Sequence, residues 1–100
     1  MKMYKYSFAE DCTASLEVIE VQECSDSYID KSGIWQITNK EDIGKALHGY
    51  RDTVVCLLEP DFEKARTSYL ADMQRTILGK KEELAKLYDN YQKICDLEAI

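Results

Sequence analysis

The feature that most constrains the fold is a long apolar repeat in the C-terminal part of the chain. Apolar side chains recur there at alternating steps of three and four residues, which is the spacing of one helix face. Lys80 is the one charged residue in the repeat, and it follows Gly79. The spacing predicts a long helix over residues 60–97, with these positions on one side: Leu70, Met73, Ile77, Lys80, Leu84, Leu87, Tyr91 and Ile94.

A helical hairpin broken at Gly79 is the alternative to one continuous helix. It would leave almost no residues for a loop, and it would place Lys80 and Lys81 at a helix N-terminus, where the helix dipole disfavours cations. A glycine inside a helix costs only about 1 kcal/mol relative to alanine. The continuous helix is therefore favoured.

A helix of that length would be about 55 Å long at 1.5 Å per residue, whereas a sheet of five- to seven-residue strands spans roughly 20–25 Å. Phe62, Ala65 and Tyr69 are expected to pack on the sheet. Because exposed apolar surface costs roughly 25 cal/mol per Å², the rest of the stripe needs a second copy of the chain, a partner protein or a fold-back. We expect self-association, as a homodimer or a larger bundle in either orientation, through Leu70, Met73, Ile77, Leu84, Leu87, Tyr88, Tyr91 and Ile94.

The first 59 residues have the patterns of a small antiparallel sheet. Tyr4, Tyr6 and Phe8 alternate with polar residues, as in a half-buried strand, and glycine suits the hairpin turn at residues 30–33. Trp35 and Ile37 are expected to share the buried face. The predicted strands cover residues 3–9, 15–22, 27–30, 34–38 and 53–59, and the second of them allows a bulge.

Residues that are typical of helix ends lie before and after the last of these strands. Asn39 is a plausible N-cap for a short helix that ends near His48 and Gly49, and Pro60 suits the first turn of the long helix. The sequence thus predicts one domain over residues 1–100, with an acidic β-rich region at 1–59. Its class is α+β: four or five antiparallel strands, one short helix and a long C-terminal helix that forms a coiled-coil-like oligomer interface.

Composition argues against an enzyme. The chain has a single histidine, His48, for which an ordinary position at a helix end is the favoured interpretation. Residues 42–45 lack the frame of a phosphate loop, and neighbouring carboxylates such as Glu82 and Glu83 point apart on a helix. The four cysteines contain no C-x-x-C pair. We therefore expect no catalytic residues, no cofactor and no metal.

Cysteine placement and the absence of long apolar runs favour the cytoplasm. Cys56 lies in the apolar run 54–58 and is typical of a small buried hydrophobe, so free thiols are expected at all four positions. No apolar stretch resembles a signal peptide or approaches the roughly 20 residues of a membrane span. The expected location is the cytosol, without membrane contact.

Charge is unevenly distributed along the chain. The net charge is −6, which disfavours direct binding to nucleic acid, and residues 1–59 carry eleven acidic but only six basic side chains. Glu17 and Glu23 should share a strand face that Glu20 opposes. A solvated acidic face that keeps the protein soluble is the simplest interpretation. Of the functional interpretations, contact with a basic protein surface is preferred to nucleic-acid mimicry, in both cases through Glu17, Glu20, Glu23, Asp26 and Asp30.

The order of these segments also resembles that of a known group of small proteins. A β-rich start, then Asp-Ile-Gly-Lys at 42–45, then Val-Val-Cys-Leu-Leu-Glu at 54–59 and a Lys/Glu-rich helix resembles small uncharacterised proteins of phages and mobile elements in Gram-positive bacteria. Such small acidic proteins often inhibit host defence nucleases, and anti-CRISPR proteins are the best-known group. The resemblance implies a non-enzymatic inhibitor that binds a host defence effector, such as a nuclease, in the host cytosol.

Two other functions are compatible with the sequence. The long helix would serve a structural or regulatory adaptor that recruits a helical partner. A pocket between the sheet and the helix would instead serve a module that binds a small molecule or a nucleotide.

Overall fold

A computed structural model describes residues 1–99 of the chain and shows an α+β fold. Six strands precede one long helix. The elements are β1 (Lys2–Ala9), β2 (Ala14–Glu23), β3 (Ser27–Asp30), β4 (Gln36–Asn39), β5 (Ala46–His48), β6 (Asp52–Leu57) and α1 (Phe62–Cys95).

The strands form one antiparallel sheet in the order β4-β3-β2-β1-β6-β5. The predicted α+β class is confirmed, but the sheet has six strands rather than four or five. The additional strand is β5, whose three residues pair with β6 at one edge of the sheet.

The short helix predicted between Asn39 and His48 is wrong. Only one 3-10 turn forms there, at Lys40–Asp42, and the Asn39 side chain does not cap it. Gly44 has a φ of +80° and donates its N–H to the carbonyl of Cys56 at 2.9 Å. This left-handed residue turns the chain onto the sheet, so His48 ends a strand and not a helix.

One face of the sheet packs against the start of α1. Alternation along β1 and β6 places Tyr6, Phe8, Val55 and Leu57 on this face, where they form a buried cluster with Ala65. The ring of Tyr69 stacks on Phe8 with centroids 4.6 Å apart, and Phe62 lies 6.1 Å from both Tyr6 and Phe8. The predicted packing of Phe62, Ala65 and Tyr69 on the sheet is confirmed.

The opposite face carries a second core. Met3, Val21, Tyr28 and Cys56 are buried together there, and Ile19, Ile37, Ile43 and Val54 pack around them. β6 therefore contributes to both clusters, and its predicted covering on two faces is confirmed.

Trp35 does not share the buried face with Ile37, contrary to expectation. β4 begins only at Gln36, so Trp35 lies in the β3–β4 loop with 69% of its surface exposed. The Trp35 carbonyl accepts the N–H of Asp30 at 2.8 Å, and the pairing between β3 and β4 shifts register after Tyr28. That shift lengthens the loop and removes Trp35 from the strand alternation.

Helix α1 begins after Asp61, whose carboxylate accepts the N–H of Lys64 at 3.0 Å. Pro60 therefore precedes the helix instead of occupying its first turn. The helix is continuous through Gly79, as predicted. By its internal contacts the chain divides into two compact units, Met1–Leu70 and a second that begins at Ala71. In residues 1–99 no helix combines the length and the apolar character that a membrane crossing requires.

Candidate interaction surfaces

All eight residues predicted to form the oligomer interface are exposed on α1. Their exposed fractions run from 40% at Met73 to 70% at Tyr91. Ala65 is the only buried residue that the structure describes in this helix. The chain's own described residues therefore leave this apolar stripe open to solvent, and we define it as Leu70, Met73, Ile77, Leu84, Leu87, Tyr88, Tyr91 and Ile94.

Helix α1 also carries ion pairs between side chains three or four residues apart in the sequence. Asp89 bonds Lys93 at 3.0 Å, and Lys80 lies 3.5 Å from Glu83. Exposed pairs of this kind contribute about 0.3–0.5 kcal/mol each. They support the helix slightly, and the pair with Glu83 gives the ammonium at repeat position 80 a counter-ion.

Three of the five acidic residues predicted to bind a partner are engaged within the chain. Glu23 bonds the ammonium of Lys40 at 2.7 Å, and this bond raises the pKa of Lys40. Glu20 lies 3.6 Å from the N-terminal ammonium. The Asp30 carboxylate accepts hydrogen bonds from residues of the adjoining loop.

Glu17 and Asp26 are the two that remain. Both are exposed, and among residues 1–99 their carboxylates accept no hydrogen bond and form no ion pair. Glu17 is paired across the sheet with Lys5 and Glu20 with Lys2, so these two glutamates lie on opposite faces. The structure thus divides the acidic set instead of gathering it on one surface.

Two exposed aromatic residues in loops lie outside the set of predicted site residues. Trp35 lies in the β3–β4 loop, and Tyr50 in the β5–β6 turn is 92% exposed with the Arg51 guanidinium 5.5 Å from its ring. Trp, Tyr and Arg are the residues enriched at the energetic centres of protein interfaces. Only the turn residues around Trp35 and Tyr50 indicated exposure, because tryptophan and tyrosine also occur in protein cores.

A shallow cavity of about 140 Å³ lies beside this turn. Phe8, His48, Thr53 and Tyr69 contribute to its wall, and His48 is paired with Thr53 across the two strands. In the part of the chain that the structure describes, no group of three or more His, Cys, Asp and Glu side chains is placed to hold a metal.

No family model matches this chain, and neither a curated protein nor a solved structure is significantly similar to it.

Proposed function

We propose that this protein is a non-enzymatic interaction protein that self-associates through the apolar stripe and binds a basic partner through its acidic β-rich region. The setting that we propose is the inhibition of a host defence effector by a phage-type protein. The single observation that carries the proposal is the exposure of every residue of the stripe.

The stripe supports self-association because its spacing and its exposure agree. Isolated exposed apolar residues are ordinary on protein surfaces, but a continuous patch marks an interaction site. Here leucine, isoleucine, methionine and tyrosine repeat along one helix at the steps that two helices need to interlock. A second copy offers the same stripe, so each copy covers the other.

The acidic region supports a basic partner. Neither Glu17 nor Asp26 forms an ion pair within residues 1–99, although the charge of Asp26 acts on Lys40. Residues 1–59 carry most of the net negative charge. Complementary charge speeds association and rejects partners of the same sign. The exposed aromatics Trp35 and Tyr50 add the side chains that anchor such contacts.

Self-association is tested by placing aspartate in the stripe. Leu84→Asp combined with Leu87→Asp should convert the protein from an oligomer to a monomer, measured by light scattering after size exclusion. Leu78→Asp is the matched control, because Leu78 is 59% exposed on the same helix but lies outside the repeat. A wild type that remains monomeric at high concentration contradicts the proposal.

Partner binding is tested by charge reversal at the two unpaired carboxylates. Phages should plaque on a Gram-positive host that carries a CRISPR nuclease when the wild-type protein is expressed. Glu17→Lys combined with Asp26→Lys should lower plaquing about tenfold or more. The control pairs Glu82→Lys with Glu98→Lys, which makes the same charge change in the C-terminal unit. Unchanged plaquing with the first pair removes the acidic residues from the proposal.

An adaptor that recruits a helical partner is the second candidate. Lys80 favours this function, because it occupies a position of the helical repeat and identical helices paired in parallel would bring two ammonium groups together. An acidic residue on a different helix would neutralise this charge. Capture of a coiled-coil protein by wild type, and not by the Leu84/Leu87 variant, would favour this function over self-association.

A further inference from the structure

The sheet face opposite α1 contains a cavity of about 300 Å³. Residues of both edge strands line it, Ile37 from β4 and Leu47 from β5. Strands at opposite ends of the sheet order share one cavity, which means that the sheet curls over this face. The concavity belongs entirely to the first unit, Met1–Leu70.

The wall of this cavity combines an aliphatic part with polar side chains, among them Gln36 and His48. Ile19, Ile37, Leu47 and Val54 line it, and the first, second and fourth of these also pack against the second core. Ligand pockets have volumes of roughly 300–1,000 Å³ with apolar walls and few polar groups. The cavity meets the lower limit of that range, so its occupant must be small.

Lys5 supplies the ammonium group of this cavity, which His48 also lines. It is partly buried on β1, between Cys56 of β6 and Glu17 of β2 in the strand register. Within residues 1–99 its ammonium forms no ion pair and donates no hydrogen bond. A charge beside an aliphatic wall is costly unless a group of opposite charge accompanies it.

Lys5 and Cys56 line the same cavity and are register partners on neighbouring strands. Burial raises the pKa of the Cys56 thiol, and the positive charge of Lys5 acts on it in the opposite direction. Glu17 faces the same way as Lys5 but does not line the cavity. The ammonium is thus close to the buried wall while its cross-strand carboxylate stays in solvent.

We propose that this cavity binds a small amphipathic carboxylate, with the carboxylate on Lys5 and the apolar body against Ile19, Ile37, Leu47 and Val54. Such an anion matches the wall and supplies the missing counter-charge. Binding is non-covalent, and it is independent of the apolar stripe and of the partner-binding proposal.

Sodium octanoate is a suitable probe, in a titration of ¹⁵N-labelled protein followed by NMR. We expect saturable shifts of the amides of Lys5, Ile19, Val54 and Cys56, with no comparable shifts between Met73 and Ile94. Shifts confined to α1 would show that octanoate coats the stripe and would overturn the proposal. Amide shifts that grow without saturating as octanoate is added would also overturn the proposal.

Charge variants test the role of Lys5. Lys5→Gln should weaken octanoate binding roughly tenfold to a hundredfold, since a charge-assisted hydrogen bond is lost. Lys2→Gln is the matched control, because it removes an exposed ammonium from the other face of the same strand. Equal effects of the two variants would overturn the proposal.

Two further measurements separate a specific site from general charge attraction. Glu17→Gln should strengthen octanoate binding by up to roughly fivefold, because it removes a competing carboxylate. Octanol, which has the same chain without the charge, should bind wild type as weakly as octanoate binds Lys5→Gln. Octanol binding as tight as octanoate binding would contradict the role of Lys5.

Discussion

At the scale of single residues, Asp30 holds the β3–β4 loop together. Its carboxylate accepts hydrogen bonds from the Ser32 hydroxyl at 2.8 Å and from the N–H groups of Ile34 and Trp35, both at 3.2 Å. These bonds lower the pKa of Asp30, with the Ser32 hydroxyl making the largest contribution. A residue that the sequence suggested as a partner contact is therefore a local anchor.

The lowered pKa of Asp30 predicts a dependence of stability on pH. A carboxyl whose pKa is lower in the folded chain stabilises the fold above its unfolded pKa, near 3.8, and loses that effect as pH falls through its folded pKa. Asp30→Asn should lower the melting temperature at pH 7 more than at pH 2.

Asp26→Asn is the control for Asp30→Asn, because no hydrogen bond to the Asp26 carboxylate occurs in residues 1–99. Thermal melts of both variants and wild type at the two pH values make the comparison. If Asp30→Asn lowered the melting temperature equally at pH 7 and pH 2, the role of the charged carboxylate would be contradicted.

Cys56 differs from the other cysteines in its access to solvent. It is 2% exposed and burial raises its pKa, whereas Cys12 and Cys95 are exposed free thiols. Since the thiolate is the reactive form, Cys56 should react with a disulfide reagent much more slowly than those two. Mass spectrometry of partly labelled protein measures the order, and early labelling of Cys56 would show that the second core opens readily.

At the scale of elements, strand position in the sheet decides which apolar residues matter. Val55 on β6 is fully buried beneath α1, whereas Val18 on β2 is 51% exposed although β2 also lies inside the sheet. The sequence pattern does not separate them, because Val55 lies in an apolar run and Val18 in a segment that also predicts a strand. The difference arises because the start of α1 covers β1 and β6.

A matched pair of substitutions tests this difference. Val55→Ala should lower the free energy of unfolding by about 1–3 kcal/mol through lost burial and a residual cavity. Val18→Ala should cost less than about 1 kcal/mol, since its methyl groups are already half in water. Urea unfolding of both variants makes the comparison, and equal losses would contradict the packing described.

Element prediction succeeded where a single physical signal was present. The alternation of Tyr4, Tyr6 and Phe8 predicted β1, and the continuous apolar run predicted the two-sided burial of β6. The short helix failed because its signals were local, while the chain between Gly44 and His48 bonds to β6. Hydrogen bonds to a distant strand outweigh a weak helical preference.

At the scale of the whole molecule, the exposed stripe makes association the expected state. An oligomer gains stability with concentration, because dilution favours the dissociated chain. Lys80 should be the weakest position of the helical repeat that underlies the stripe, since burying its ammonium costs free energy even beside Glu83.

Lys80→Leu is therefore expected to strengthen self-association. The dissociation constant of the oligomer should fall about tenfold, because an apolar side chain replaces a charge at the interface. Lys86→Leu is the control on the same helix, outside the repeat. Sedimentation equilibrium measures the dissociation constant of both variants. An equal decrease for the two substitutions would indicate nonspecific hydrophobic association and contradict the role of position 80.

The sequence by itself determined the α+β class, the continuous helix and the apolar stripe, because each depends on a periodicity or a run within neighbouring residues. Tertiary structure decided which acidic residues stay unpaired, since Glu23 meets Lys40 and Glu20 meets the chain terminus only after folding. It also decided the place of Trp35 and the cavity around Lys5. Those features depend on strand register and sheet curvature, which join residues far apart in the chain.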